Sequence, residues 1–347
     1  MKERTKPKGV GMAATVLLAT LLIAAVIAPA MGATIPTSES VIITAPISPM
    51  QSDGIYSIPP GSVIDHSADG TTTVYAPNGT CILTAQDSKA DMIGTPSGKS
   101  LPATHLHQVP SGSRICTVGD GVTKVYMNET CILTVVNQDQ EVNTIPDVDG
   151  WIESSYDWSV DELWEFNAYW HVPSSPPSPE SGTIDFLFNA IEPSTADAIV
   201  QPVLEWNQGG SGRWTGSAWT GSGGDYYHSD PIDVSVGDKI KGILAWDDDY
   251  NSWLVDVHDM TTGEKTFIHS HNVGDTSLAV FTALEGYGVE DDTDVPGDTT
   301  FYDMSFRDSD FNTVDIEWEK HIMSGVPLTG LEVESSSDEW VKLHTAN

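Results

Sequence analysis

The residue pattern over 164–172 constrains the fold more than any other stretch of the chain. Trp164, Phe166, Ala168, Trp170 and Val172 alternate with Glu165, Asn167, Tyr169 and His171. Only a strand with one face against a core satisfies that period of two. Ser159 and Glu162 have capping-box spacing just upstream, but the alternating run directly behind them overrides a helix start. Further strands are expected at 183–190, 199–206, 232–236, 239–246, 253–259, 279–284 and 299–306. Turns rich in Gly, Pro, Asp and Ser separate them, and no stretch carries a long helical period. The pattern is all-β, an antiparallel sandwich.

All eleven tryptophans lie between Trp151 and Trp340, which sets a boundary near 147–150. Upstream of it the chain repeats itself. Pro59-Pro60-Gly61-Ser62 returns as Pro110-Ser111-Gly112-Ser113, and Val74-Tyr75 as Val125-Tyr126. Asn78-Gly79-Thr80-Cys81-Ile82-Leu83-Thr84 returns as Asn128-Glu129-Thr130-Cys131-Ile132-Leu133-Thr134. Each unit reads as short strands between turns, so 55–139 is expected to be a small two-repeat β region. Val74/Ile82 and Val125/Ile132 are the expected matching core positions. Residues 34–54 and 88–104 are rich in Ser, Thr, Pro and Gly and read as linkers.

Asn78 and Asn128 both sit in N-x-T sequons, open to glycosylation in an exported chain. Asn is also the residue such turns want. Cys81 and Cys131 occupy equivalent repeat positions, where a bridge is one option. Three cysteines in 347 residues exclude a disulfide-built miniprotein.

Residues 1–33 read as a signal peptide. Lys2, Arg4, Lys6 and Lys8 precede a charge-free apolar run, Met12–Ile27, and small residues at 30–33 suit cleavage. The alternative is an uncleaved anchor, the one route by which the chain would touch a membrane. The chain is therefore expected to be secreted or extracellular, or held at the cell surface. Fifty acidic against fifteen basic residues give a formal charge of −35, which excludes nucleic-acid backbones as partners.

No G-x-S-x-G elbow, H-E-x-x-H pair or Walker loop is present, and no cysteine follows Cys131. His105/His107 and His269/His271 have the i,i+2 spacing of ligands on one strand face, though a solvated strand edge gives the same spacing. Asp247, Asp248 and Asp249, like Asp291, Asp292 and Asp294, suit either a hard cation or an acidic loop. Asp315, Glu317 and Glu319 line up as a glycosidase's paired carboxylates would, or as charges facing water.

A family resemblance appears in the order of segments across 151–347. Residues 198–206 (AIVQPVLEW) are similar to the glutamine-bearing strand of the eqolisins, the glutamic peptidases of the G1 type. Upstream, 168–174 (AYWHVPS) resembles that family's strand ending in Val-Pro-Ser. Downstream, Ser217-Ala218-Trp219 fits its tryptophan-bearing strand, 232–240 its Gly-Asp turn and 259–266 its Thr-Thr-Gly hairpin. Thr282-Ala283-Leu284-Glu285 falls where the family's catalytic-glutamate strand lies, and 326–345 resembles its closing strands. The chain departs from the family in lacking paired cysteines near these strands. Pro202 directly follows the glutamine, and Gly221 stands where an acid is expected. Glu290 rivals Glu285 for the glutamate's place.

The resemblance implies a concanavalin-like sandwich with Gln201 and Glu285 as a catalytic dyad, Trp206 and Trp219 in the substrate cleft, a polypeptide substrate, and neither cofactor nor metal. Chemically such a pair can cleave an amide. A buried glutamate takes a proton from water and returns it to the leaving nitrogen, while the Gln amide holds the water and the oxyanion. Activity is expected only in acid, where the leaving nitrogen can still be given a proton. The rival reading is a non-catalytic sandwich that binds carbohydrate or another envelope polymer through exposed Trp206, Trp214, Trp219 and Trp253. A lapsed peptidase serving as an envelope component is a third. Residues 55–139 are then either a prosegment or an accessory module.

Overall fold

The computed structural model describes residues 41–44, 55–87, 92–119, 121–138, 150–180, 182–222, 224–336 and 339–347. The 1–33 leader, most of the 34–54 linker and the joining residues 139–149 lie outside them. The upstream segment supplies β1 (Val41–Thr44), β2 (Ile55–Ile58), β3 (Ser62–His66), β4 (Thr71–Tyr75), β5 (Cys81–Gln86) and β6 (Met92–Thr95). It continues with β7 (Lys99–Pro102), β8 (Leu106–Val109), β9 (Ser113–Gly119), β10 (Val122–Met127) and β11 (Thr130–Asn137). Next come β12 (Gly150–Glu162), β13 (Glu165–His171), β14 (Ile184–Pro193), β15 (Ala198–Trp206), β16 (Trp214–Ser222), β17 (Asp225–Ser229) and β18 (Ile232–Asp233). The chain closes with β19 (Lys239–Asp247), β20 (Ser252–Asp259), β21 (Lys265–Ser270), β22 (Thr276–Tyr287), β23 (Thr299–Arg307), β24 (Glu319–Ile322), β25 (Glu332–Ser336) and β26 (Trp340–His344).

Two large sheets face each other. The first runs β2-β1-β8-β17-β16-β15-β14-β22-β12-β24, with β18 beside β16. The second runs β25-β26-β23-β13-β19-β20-β21-β9-β10-β11-β3-β4-β5. Strands β6 and β7 form a separate hairpin. The protein is all-β, a concanavalin-like sandwich of largely antiparallel sheets, and the alternating stretch 164–172 contains one of its strands. Phe166, Ala168, Trp170 and Val172 are buried in the layer between the sheets, and His171 on the other face is exposed. Among the described residues no helix is long and apolar enough to cross a membrane.

The two repeats are three-stranded meanders, β3-β4-β5 and β9-β10-β11, joined by parallel pairing of β11 with β3. They extend the second sheet through parallel pairing of β9 with β21. Val74, Val125 and Ile132 are buried, but Ile82 is 46% exposed. Strand β11 has neighbours on both sides, whereas β5 ends the sheet, so the same residue pattern is covered in one copy and bare in the other. Asn78 accepts from the Thr80 amide at 3.0 Å, and Asn128 adopts a positive φ of 46°, so both serve their turns. All three cysteines are free.

Two stretches read as linkers are strands. Residues 41–44 pair with β2 and β8 at the edge of the first sheet. Residues 92–102 are the β6–β7 hairpin, whose turn Pro96-Ser97-Gly98 needs glycine at φ 72°.

Candidate functional site

The first sheet has an inner face against the second sheet and an outer face with an apolar cluster of its own. Phe186, Phe188, Val203, Trp219, Phe281 and Tyr287 form that outer cluster, and Leu101 and Leu106 from the upstream segment pack on it. Burying each such large side chain contributes about 1.5–3 kcal/mol. The β6–β7 hairpin is thus held on the outer face by packing as well as by hydrogen bonds.

Gln201 on β15 and Glu285 on β22 both reach this face, two strands apart with β14 between them. Both are completely buried. They meet the same turn of the hairpin. The Gln201 side-chain NH₂ donates to the Pro96 carbonyl, and Glu285 Oε1 accepts from the Gly98 amide at 2.7 Å. The ladder between β14 and β15 lapses at Gln201 and Pro202, since proline has no N–H to donate, and resumes in the same register at Val200.

Tyr287 sits two residues beyond Glu285, on the same face. Its hydroxyl lies against Glu285 Oε1 and against the carbonyls of Thr95 at 2.9 Å and Lys99 at 3.0 Å. One phenolic proton cannot serve three acceptors. A protonated Glu285 donating to the hydroxyl oxygen satisfies more of them. Burial pushes the Glu285 carboxyl up to about 8, against the opposing pull of the Tyr287 hydroxyl and the Gly98 amide. The Trp151 indole lies alongside the carboxyl and opposes the rise as well. The Gln201 Oε1 atom is buried with no hydrogen-bond partner.

Close approach of the hairpin depends on Gly94. A Cβ there would stand 2.4 Å from the Tyr287 ring. Gly221 has a matching reason to lack a side chain, because a Cβ would stand 2.1 Å from the Tyr226 ring. Tyr226 fills the space of the acid that the family resemblance leads one to expect there.

Trp219 lies on the outer face opposite Gln201, stacked on His228 at 4.7 Å. Its indole N–H donates to Glu205 Oε1 at 2.5 Å, and Thr215 donates to Oε2 at 3.1 Å. Glu205 was not among the expected site residues, yet it shares a row with Phe186 and Glu285. Burial raises its pKa while the Trp219 and Thr215 bonds oppose the rise. Its signal in the sequence was its position four residues after Gln201, hence on the same strand face.

Trp206 needs correcting. Five residues from Gln201, it faces the inner core beside Trp214, their rings 5.6 Å apart, and lines no cleft on the outer face. The wider tryptophan platform fails for the same reason: Trp206, Trp214, Trp219 and Trp253 are all buried. Glu290 is exposed in a loop and borders a different pocket with Ile152, Gly286 and Val326. Asp315, Glu317 and Glu319 are exposed, and only Glu319 lies in a strand. Asp294 accepts from the amides of Glu180, Glu290 and Asp291, and so orders its loop.

No family model and no curated protein matches the sequence. Among solved structures, the fold is similar to a scytalido-glutamic peptidase crystallised with a peptide-based transition-state analogue. The identity is 18% over 57% of this chain and 98% of that one, with a TM-score of 0.43. A similar match is SCP-B, a member of the eqolisin family in complex with the tripeptide Ala-Ile-His, at 18% identity, 57% and 98% coverage and a TM-score of 0.42. A Bacillus licheniformis β-glucanase matches at 9% identity over 75% of this chain and 91% of that one, with a TM-score of 0.28.

Proposed function

We propose that this protein is an exported, acid-acting endopeptidase of the glutamic type, held latent by its own β6–β7 hairpin. The observation that carries the reading is the shared turn. A stretch of main chain crosses the outer face with one carbonyl on the Gln201 NH₂ and one amide on Glu285. A substrate backbone offers the same groups. The ordered resemblance of 151–347 to the eqolisins supports the same two residues.

In this reading the hairpin occupies the place of a substrate, and residues 55–139 act as a prosegment. When the turn lifts, water can enter between Gln201 Oε1 and Glu285 Oε2. Glu285 removes a proton from that water as it attacks the scissile carbonyl, and returns it to the leaving nitrogen. The Gln201 NH₂, freed from Pro96, donates to the developing oxyanion. Burial is the largest cause of the raised Glu285 pKa, so opening the site brings the carboxyl down towards its ordinary acid range. The carbohydrate-binding alternative is weaker, because its tryptophans are not at the surface.

The test is casein hydrolysis in acid, before and after an acid incubation that allows self-processing. Processed parent and Glu290→Gln should both cleave, whereas Glu285→Gln and Gln201→Glu should lose at least about 100-fold, the usual cost of one oxyanion donor. If Glu285→Gln and Gln201→Glu cleave like the parent, the reading is finished. If Glu290→Gln and Gln201→Glu are dead and Glu285→Gln is not, the glutamate has been assigned to the wrong residue.

A further inference from the structure

Beneath the upstream segment lies a second buried polar cluster that the proposed chemistry does not use. His66 from β3, His105 from the 3-10 turn Ala103–His105 and His107 from β8 converge on Asp225 at the start of β17. All four are at least 97% buried. Asp225 Oδ1 lies 3.2 Å from His66 Nε2, 3.2 Å from His107 Nε2 and 3.1 Å from His105 Nδ1. The solvated strand edge that the spacing of His105 and His107 also allowed is therefore not what the fold builds.

We propose that this cluster is a structural site for a zinc-class divalent cation, tying the upstream segment to the sandwich. One ligand atom from each of His66, His107 and Asp225 lies within 4.8 Å of the other two. Four ligands about 2.0 Å from a tetrahedral ion are about 3.3 Å from one another. The two Nε2–Oδ1 separations of 3.2 Å match that edge. His105 Nδ1 approaches the same oxygen at 3.1 Å but stands outside that group of three, so water would complete the four-coordinate shell. Imidazole nitrogens with one carboxylate oxygen suit zinc or cobalt rather than calcium or magnesium.

The orientations favour an ion over simple hydrogen bonding. His66 Nε2 is buried without a hydrogen-bond partner, although it lies 3.2 Å from the carboxylate oxygen. The His66 and His105 rings stack at 3.8 Å, so one ion cannot lie in both ring planes, and His66 rather than His105 belongs to the ligand set with His107 and Asp225. Outer partners are in place. His66 Nδ1 meets the Thr72 hydroxyl at 2.7 Å, Asn137 donates to Asp225 Oδ2 at 3.0 Å, and Asp87 stands 3.5 Å from His105 Nε2. Such contacts fix ligand tautomers and orientation. A dication with Asp225 and Asp87 also leaves the buried cluster electrically neutral.

Full-length protein stripped with a chelator should take up one equivalent of zinc, with a melting temperature that rises with zinc concentration. Cobalt(II) should give the intense visible absorption of a four-coordinate site. His66→Gln and His107→Gln should each weaken zinc binding more than about 100-fold, while His269→Gln leaves it unchanged. The proposal is overturned if the parent takes up no zinc or cobalt at micromolar concentrations, a result that does not depend on how the variants fold. Binding undiminished in both histidine variants overturns it equally. Neither readout involves peptidase activity, so this inference stands or falls apart from the proposed function.

Discussion

Replacing Glu285 by glutamine should change how stability depends on pH, and the structure sets both sign and size. The folded protein pushes this carboxyl from an ordinary 4.5 up to about 8, chiefly through burial. A folded state that holds a proton more tightly than the unfolded state is most stable in acid. Its stability falls as pH climbs from about 4.5 to about 8 and is level beyond that. A shift of about 3.5 units at about 1.4 kcal/mol each corresponds to a loss on the order of 5 kcal/mol. That rivals the whole stability of many domains, about 5–15 kcal/mol. Glutamine has nearly the same shape, keeps an oxygen for the Gly98 amide and carries no charge at any pH. The assay is urea unfolding of parent and Glu285→Gln at about pH 5 and about pH 9. Near pH 5 the two should differ little; near pH 9 the variant should be more stable by several kcal/mol. Glu153, also pushed up to about 8, and Glu192, pushed up to about 7, titrate in the same window. Both are present in both proteins; Glu153 cancels in the difference, and Glu192, whose charge helps to raise Glu285, cancels in part. Parallel profiles, agreeing within about 0.5 kcal/mol at both pH values, would refute the burial argument for Glu285.

Gly94→Val should unseat the hairpin, because its side chain starts 2.4 Å from the Tyr287 ring. In the proposed reading this raises peptidase activity before any acid treatment, and unprocessed Gly94→Val with no more activity than the parent counts against a blocking hairpin. Ile82→Asp and Ile132→Asp should separate the two repeats. The exposed Ile82 should tolerate the change within about 0.5 kcal/mol, whereas the buried Ile132 should lose several kcal/mol in urea unfolding; equal costs would contradict the edge position of β5. N-terminal sequencing after acid incubation should find a new terminus between Val136 and Trp151, and full activity of the uncut chain would exclude a prosegment.

Much of the fold was legible because alternation survives wherever one face meets a core. Strand β13 runs 165–171 within the alternating stretch 164–172, and β14, β15, β19, β20 and β23 fall within a few residues of their expected positions. Strand β12 escaped notice because its register slips between Trp151 and Glu153 and again between Asp157 and Val160, which breaks the period of two. The hairpin at 92–102 was misread from composition. Its Pro, Ser and Gly serve a tight turn and a close approach to Tyr287 rather than a loose linker. Trp206 could have been placed by parity, being an odd number of residues from Gln201, and Glu205 by the same rule in reverse. The histidine cluster was legible only in the spacing of His105 and His107. His66 and Asp225 are 159 residues apart, and only parallel pairing of β8 with β17 and of β11 with β3 brings them together.

Gln201 and Glu285 differ from their neighbour Glu205 in how their polar atoms are met. A glutamine and a glutamate placed only to cover the outer face would be expected to have both ends of each group satisfied, since an orphaned buried polar atom costs about 1–3 kcal/mol. Glu205, on the same face, shows that the fold can do this, with both its oxygens bonded by Trp219 and Thr215. Gln201 and Glu285 each give one atom to the hairpin turn, and Gln201 leaves its amide oxygen bare. The hairpin thus leaves unmet the amide oxygen that the proposed reaction asks to hold a water. That asymmetry between Glu205 and Gln201 is the physical reason to seek catalysis at Gln201 with Glu285 and a supporting role at Glu205.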